Sequence, residues 1–347
     1  MSGRPRSERA TLADVARLAG VSPATASKVL NGRSDVASHT RDRVLRVVAE
    51  IGYRPTTAHQ AQTRHRTLVT VLDIVESRYA ATVLQGILVA ATAAQAELLL
   101  RLPPDESVGT GRAAARSWIA ELKSSGAIGI VELAVTVPDA VLLAAQDLEL
   151  PVVTIDPIDT TGSRVVSIGA TNWAGGRSVT DHVLELGHRR IAWIGGPVRS
   201  APSAERFHGY QAALDLAGIA PDHELIRHDT FSVEAGHRHG HDILTLDERP
   251  TAIVAGNDEI AVGVLAAAKE LDIAVPRQLS VTGFDDTPQT EWTTPRLTSV
   301  RQPLTGMGRM AVETVLSMAD GTQPVSRHLQ LATSLSVRDS TGPAFSS

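Results

Sequence analysis

From Leu68 onward, short apolar runs alternate with amphipathic stretches of helical length, and this alternation constrains the fold more than any other feature of the chain. Strands are predicted at 68–74, 127–131, 152–155, 165–168, 191–194, 252–255 and 280–284. Helices are predicted between them at 80–94, 112–124, 175–186, 206–217, 233–246, 259–271 and 306–319. A strand–helix rhythm of this kind builds parallel sheets with helices on both faces, and such sheets take ligands beyond the carboxyl ends of their strands. A stretch of about 270 residues is long for one such unit and natural for two. No apolar run approaches the roughly 18 residues of a membrane span. Residues 1–9 are polar and basic with no continuous apolar stretch after them, which argues against a secretory signal. The chain has no cysteine, so disulfides, thiolate metal sites and a Cys nucleophile are excluded, and a reducing cytoplasm is the expected location.

Charge separates this body from what precedes it. Residues 1–66 hold 12 Lys and Arg against 5 Asp and Glu, whereas the remaining 281 residues hold 21 against 33. A small basic head on a large acidic body suggests a polyanion-binding module joined to something else. Single arginines weigh little in that reading, because 30 of the 33 basic residues are Arg throughout the chain. Caps and periodicity predict three helices in the head. Thr11 caps a stripe of Leu12, Val15, Ala16 and Ala19, with Asp14 placed for a capping box. Gly20 ends that helix, and Ser22-Pro23 opens the next, which turns Ala26, Val29 and Leu30 inward and stops at Asn31-Gly32. A third, from about Ser38 to Gly52, carries Val44, Leu45, Val47, Val48 and Ile51 inward. Helix, tight turn, helix and supporting helix is the helix-turn-helix plan, whose second helix enters the major groove. Pro23, Ala24, Thr25, Ser27 and Lys28 lie off the apolar stripe of that helix. They can reach phosphates or base edges, or they can be plain solvated positions on a small bundle.

The residues themselves go further. DVA at 14–16, AGVS at 19–22, Thr25-x-Ser27, VLNG at 29–32, TRxRV at 40–44 and GYRP at 52–55 closely resemble the DNA-binding head of the lactose/galactose repressor (LacI/GalR) family. The resemblance implies that Thr11, Ser22, Thr25, Ser27, Asn31 and Tyr53 position the head on phosphates. It gives Pro23, Ala24 and Lys28 to base reading. Gln62 stands where the family usually places a leucine that wedges into the minor groove, and an amide cannot unstack a base step as that wedge does. Further along, LELGHRRIAWIGGP at 184–197, Arg206-x-x-Gly209-Tyr210, AGNDE at 255–259, LSVTGFDD at 279–286 and LTSVRQP at 297–303 resemble the effector-binding core of the same family, in the same order. Together the matches run from Thr11 to about Arg338.

The resemblance implies a fold class of an all-α helix-turn-helix head plus a periplasmic-binding-protein-like α/β core of two parallel-sheet subdomains. The expected domains are a head at 1–55, a hinge at 56–67, a core at 68–340 and a tail at 341–347. Within the core the first subdomain takes 68–187 and 303–326, and the second takes 188–302 and 327–340. The chain would therefore cross near His188, Gln302 and Arg327. Arg206, Asn257, Asp285 and Gln302 match family positions that face the cleft, where guanidinium, amide and carboxylate groups suit vicinal hydroxyls. Phe231 stands where the family often places an aromatic against the ligand, and Ser77 and Tyr79 match its Ser-x-Pro-aromatic site, with Arg78 replacing the proline. Asn172 matches half of a family DN pair whose aspartate is here Thr171, and Trp173 beside it could line the cleft or a dimer face.

The implied function is a homodimeric, palindrome-binding transcriptional repressor of carbohydrate-utilisation genes that a sugar releases from its operator. The alternatives are a regulator whose ligand strengthens DNA binding and, from another class, a transport-type sugar-binding protein. His237, His239 and His241 lie on one predicted helix without a further ligand, so no metal is expected. No cofactor is expected either. GxGxxA strings at 109–114 and 306–311 lack the strand–turn–helix setting of a dinucleotide site, and no enzyme signature occurs.

Overall fold

The computed structural model describes residues 11–30, 36–51, 53, 66–73, 76–105, 111–136, 138–157 and 165–344. It divides into two compact units, Met1–His65 and Arg66–Ser347. Asn31, Gln62 and the expected hinge up to residue 65 lie outside the described residues.

In the head, α1 (Leu12–Leu18), α2 (Pro23–Leu30) and α3 (Ser38–Glu50) pack around Val15, Ala16, Ala19, Ala26, Val29, Val44 and Val47. The Thr11 hydroxyl accepts from the Asp14 amide while the Asp14 carboxylate takes the Thr11 N–H, which forms the full capping box. Gly20 then turns the chain at φ +62°, a conformation that costs a glycine nothing. Ser22 opens α2 by accepting from the Thr25 amide at 3.0 Å. One inward assignment fails: Leu45 is 47% exposed, because Val44 and Val47 already fill the seam against α1 and α2.

The core holds two six-stranded sheets. The first contains β1 (Thr67–Val71), β2 (Glu97–Arg101), β3 (Ala127–Leu133), β4 (Val152–Ile155), β5 (Val166–Ala170) and β11 (His328–Leu331), all parallel, in the order β11-β5-β4-β3-β1-β2. One face is covered by α4 (Arg78–Ala93) and α11 (Leu304–Ala319), the other by α5 (Arg112–Ser124) and α6 (Asp139–Asp147). The second contains β6 (Ile191–Gly195), β7 (Ile226–His228), β8 (Ala252–Ala255), β9 (Ser280–Asp285), β10 (Thr298–Arg301) and β12 (Ser334–Ser336), in the order β12-β10-β9-β8-β6-β7. Only β12 runs antiparallel there. Its faces carry α7 (Asn172–Glu185) and α8 (Ala201–Leu216) on one side, and α9 (Val233–Leu244) and α10 (Asp258–Glu270) on the other.

The chain crosses between the sheets at Thr171, at Gln302-Pro303 and at Ala332-Thr333. Two of these positions correct the sequence expectation. Helix α7 belongs to the second subdomain and not the first, because Val179 and Val183 are buried with Ile191, Trp193 and Phe284, so the first crossing precedes His188 by a whole helix. The third lies after β11, which pairs with β5 in the first sheet, and not near Arg327. Two crossings are tied together: the Thr171 N–H donates to the Leu331 carbonyl at 2.9 Å, and the Thr171 and Thr333 hydroxyls meet at 2.9 Å.

Candidate functional site

The second sheet ends in an unusual pair. Asp285, the last residue of β9, has φ +109°, and Asp286 follows at +55°, both outside the ordinary range for a side chain larger than glycine. The two carboxylates then part. Asp286 joins Arg301 and Arg338 and accepts from Ser336, a structural role. Asp285 is 3% exposed, takes the Gln302 amide N–H at 2.6 Å and lies 3.4 Å from the Arg206 guanidinium. Burial pushes its carboxyl up to about 7, against the pull of Arg206 and the Gln302 amide.

Arg206, on α8, is 4% exposed and fully engaged. Its Nε donates to the Asn172 Oδ1 and its Nη1 to the Gly256 carbonyl, both at 2.8 Å. Its guanidinium lies 3.9 Å from the centre of the Phe284 ring and 6.0 Å from that of Phe231. The first subdomain faces this cluster with Tyr79, near the start of α4, whose hydroxyl donates to Asp156 Oδ2 at 2.6 Å. Asp156 follows β4 at φ +45°, 6% exposed, and burial raises its carboxyl against the Tyr79 hydroxyl and Arg206. Two buried acceptors here have no partner, Asp156 Oδ1 and Gln302 Oε1.

Of the effector positions expected from sequence, Tyr79, Arg206, Phe231, Asp285 and Gln302 come together in this cluster. Ser77 stands at its edge, where Glu259 accepts from the Ser77 side chain and from the Arg78 amide N–H, the latter at 3.2 Å. Asn257 is buried, but its Oδ1 caps α10 by accepting from the Ile260 amide at 2.9 Å. Its neighbour Asp258 accepts from Thr287 and Ser299 and braces the loop after Asp285. Sequence reasoning missed Asp156, the partner of Tyr79, and gave no role to Asn172, which orients Arg206. An aspartate directly after a fully buried strand was the available signal for the first. Trp173 is 43% exposed and stands beside Arg177.

In the head, Ser22, Pro23, Ala24 and Lys28 are exposed and Thr25 and Ser27 half-buried along α2. Tyr53 packs against the head core, and Thr11 is occupied by its cap. On α9, His237 meets Glu270 and His239 meets Asp229. Among the described residues no group of three or more His, Asp or Glu could hold a metal ion.

Comparison with known proteins decides the family. Residues 11–56 match the bacterial regulatory proteins of the lacI family, and residues 180–341 match the periplasmic binding protein-like domain. The transcriptional regulator GalS of Salmonella typhimurium is 33% identical over 319 residues, covering 91% of this chain and 92% of its own. The chain belongs to the LacI family of transcriptional regulators. Among solved structures, the lac repressor dimer bound to operator and the anti-inducer ONPF is 25% identical with a TM-score of 0.76, and the CelR–cellobiose complex is 29% identical with 0.70. Each comparison covers 96% of this chain and 100% of the other. This family member is thus a DNA-binding regulator whose second unit has the binding-protein fold, and no helix among its described residues is long and apolar enough to cross a membrane.

Proposed function

We propose that the chain is a cytoplasmic homodimeric repressor released from a palindromic operator by a sugar. The observation that carries this reading is the meeting of Tyr79 and Asp156 from one subdomain with Arg206, Asp285 and Gln302 from the other. Hydroxyl-rich ligands need donors and acceptors in a largely dry cleft, and this set supplies both with Phe231 beside it. A ligand touching both subdomains favours one arrangement of the three crossings over others, and that difference is what couples it to DNA. The CelR relative with cellobiose supports a sugar. Pro23, Ala24 and Lys28 would read bases, with Thr11, Ser22, Thr25, Ser27, Asn31, Tyr53 and Gln62 holding the head on the duplex. Operator symmetry would follow from a two-fold dimer. Sensing of this kind needs no turnover, and the relatives are regulators rather than enzymes.

Thermal melting across mono- and disaccharides tests the reading. A sugar at about 100 times its Kd stabilises by about 2.7 kcal/mol, so its melting temperature should rise by several degrees. Arg206→Lys cannot serve Asn172, Gly256 and Asp285 together, and should abolish that shift while still melting cooperatively. No shift with any sugar, or an Arg206→Lys protein that responds like the wild type, would contradict the proposal.

A further inference from the structure

The cleft holds more acidic than basic side chains. Asp156, Glu205, Glu259 and Asp285 interact electrostatically with one another or with Arg206, the one guanidinium buried among them in the described residues. Arg206 is spent on Asn172, Gly256 and Asp285. Among the described residues no cationic side chain pairs with Asp156, which has only the Tyr79 hydroxyl at Oδ2. Its Oδ1, on a residue 6% exposed, makes no hydrogen bond, and neither does Oε1 of Gln302, 4% exposed. Gly169 leaves room for Asp156 Oδ1, since a Cβ there would lie 3.1 Å from it.

A buried carboxylate with one hydrogen bond and no cation in contact is costly to maintain, and the field of Arg206 offsets burial only in part. A sugar hydroxyl would satisfy the open oxygen and leave the charge uncompensated. An ammonium would do both, through a charge-assisted hydrogen bond. We propose that the effector is an amino sugar, a polyhydroxylated ligand whose protonated amine binds Asp156 and one of whose hydroxyls meets Gln302. This rests on the effector-cleft reading above and specifies the ligand class that the cleft selects. Tyr79 then acts as a positioning residue that holds one carboxylate oxygen so that the other faces the ligand.

The test is calorimetric titration of the full chain with matched sets: D-glucosamine and D-galactosamine, the parent hexoses, and the N-acetyl derivatives in which the charge is gone. The amines should bind about tenfold or more tightly than either counterpart. In Asp156→Asn, checked for cooperative melting, that ratio should fall to about one. Tyr79→Phe, which keeps the carboxylate and frees the oxygen that the hydroxyl held, should narrow the ratio without erasing it. Equal or tighter binding of the hexoses or N-acetyl sugars overturns the amine assignment and leaves the sugar-effector reading standing. A preference that survives Asp156→Asn overturns the assignment in the same way, and a ratio unchanged in Tyr79→Phe overturns the positioning role of that hydroxyl. Binding by no member of any set overturns the assignment and the sugar reading together.

Discussion

Asp285 and Glu132 are two buried carboxyls handled in opposite ways. Asp285 has Arg206 and Gln302 against it, whereas Glu132, on β3 between Val71 and Thr154, is 2% exposed and leaves Oε2 without a partner. Burial alone pushes the Glu132 carboxyl up to about 8 from its ordinary 4.5. The folded chain therefore holds this proton more tightly than the unfolded chain does, and stability falls as pH rises through that interval. Glu132→Gln keeps the volume and removes the charge. It should be more stable than the wild type at pH 8, by on the order of 1–3 kcal/mol, with the difference shrinking toward pH 5. Urea unfolding at several pH values checks this, and parallel profiles for the two proteins would contradict it. Legibility at this scale followed motif density. Arg206, Asp285 and Gln302 sit in strings that name themselves, while Asp156 follows a plain Val-Val-Thr-Ile strand and shows its role only once Tyr79 is found on it. Asn257 was read as facing the ligand because its neighbours matched. In the fold its oxygen is consumed by a helix cap, which sequence position alone does not reveal.

Helix pairing in the core depends on reciprocal glycines. Gly86 and Gly308 join α4 to α11, Gly176 and Gly209 join α7 to α8, and Gly236 and Gly263 join α9 to α10. A Cβ at any of them would lie 2.1–2.3 Å from a backbone carbonyl oxygen of the partner helix. Because that atom is backbone, the helices would have to separate. Gly176→Ala, whose Cβ meets the Arg206 carbonyl oxygen at 2.2 Å, should cost about 1–3 kcal/mol in urea unfolding and disturb the residue at the centre of the cleft. Wild-type stability would contradict this account of the pairing. Most buried strands and most helices were readable because apolar periodicity survives where both faces are covered; β10 was not, since Thr298, Ser299 and Val300 are buried but make no apolar run. The four strands that end the sheets, β2, β7, β11 and β12, were not, since partly exposed edges carry mixed residues such as Ile226-Arg227-His228. Helix α7 was found but assigned to the wrong subdomain, because nothing local in 172–185 states which sheet it will cover.

The basic head and the acidic core are separate compact units with separate chemistry, and regulation requires a free-energy coupling between them. A ligand that binds the two subdomains of the core can change operator affinity only by as much as its own affinity differs between the DNA-bound and free states, and the effect is reciprocal. The direct test is operator affinity with and without ligand. An operator is selected from random duplexes by the full chain, and its affinity is measured by fluorescence anisotropy at fixed salt, alone and with a saturating concentration of the sugar that most raises the melting temperature. Weaker operator binding with sugar, by about 5–150-fold, is the predicted result; affinity that is unchanged or strengthened would contradict a sugar-released repressor.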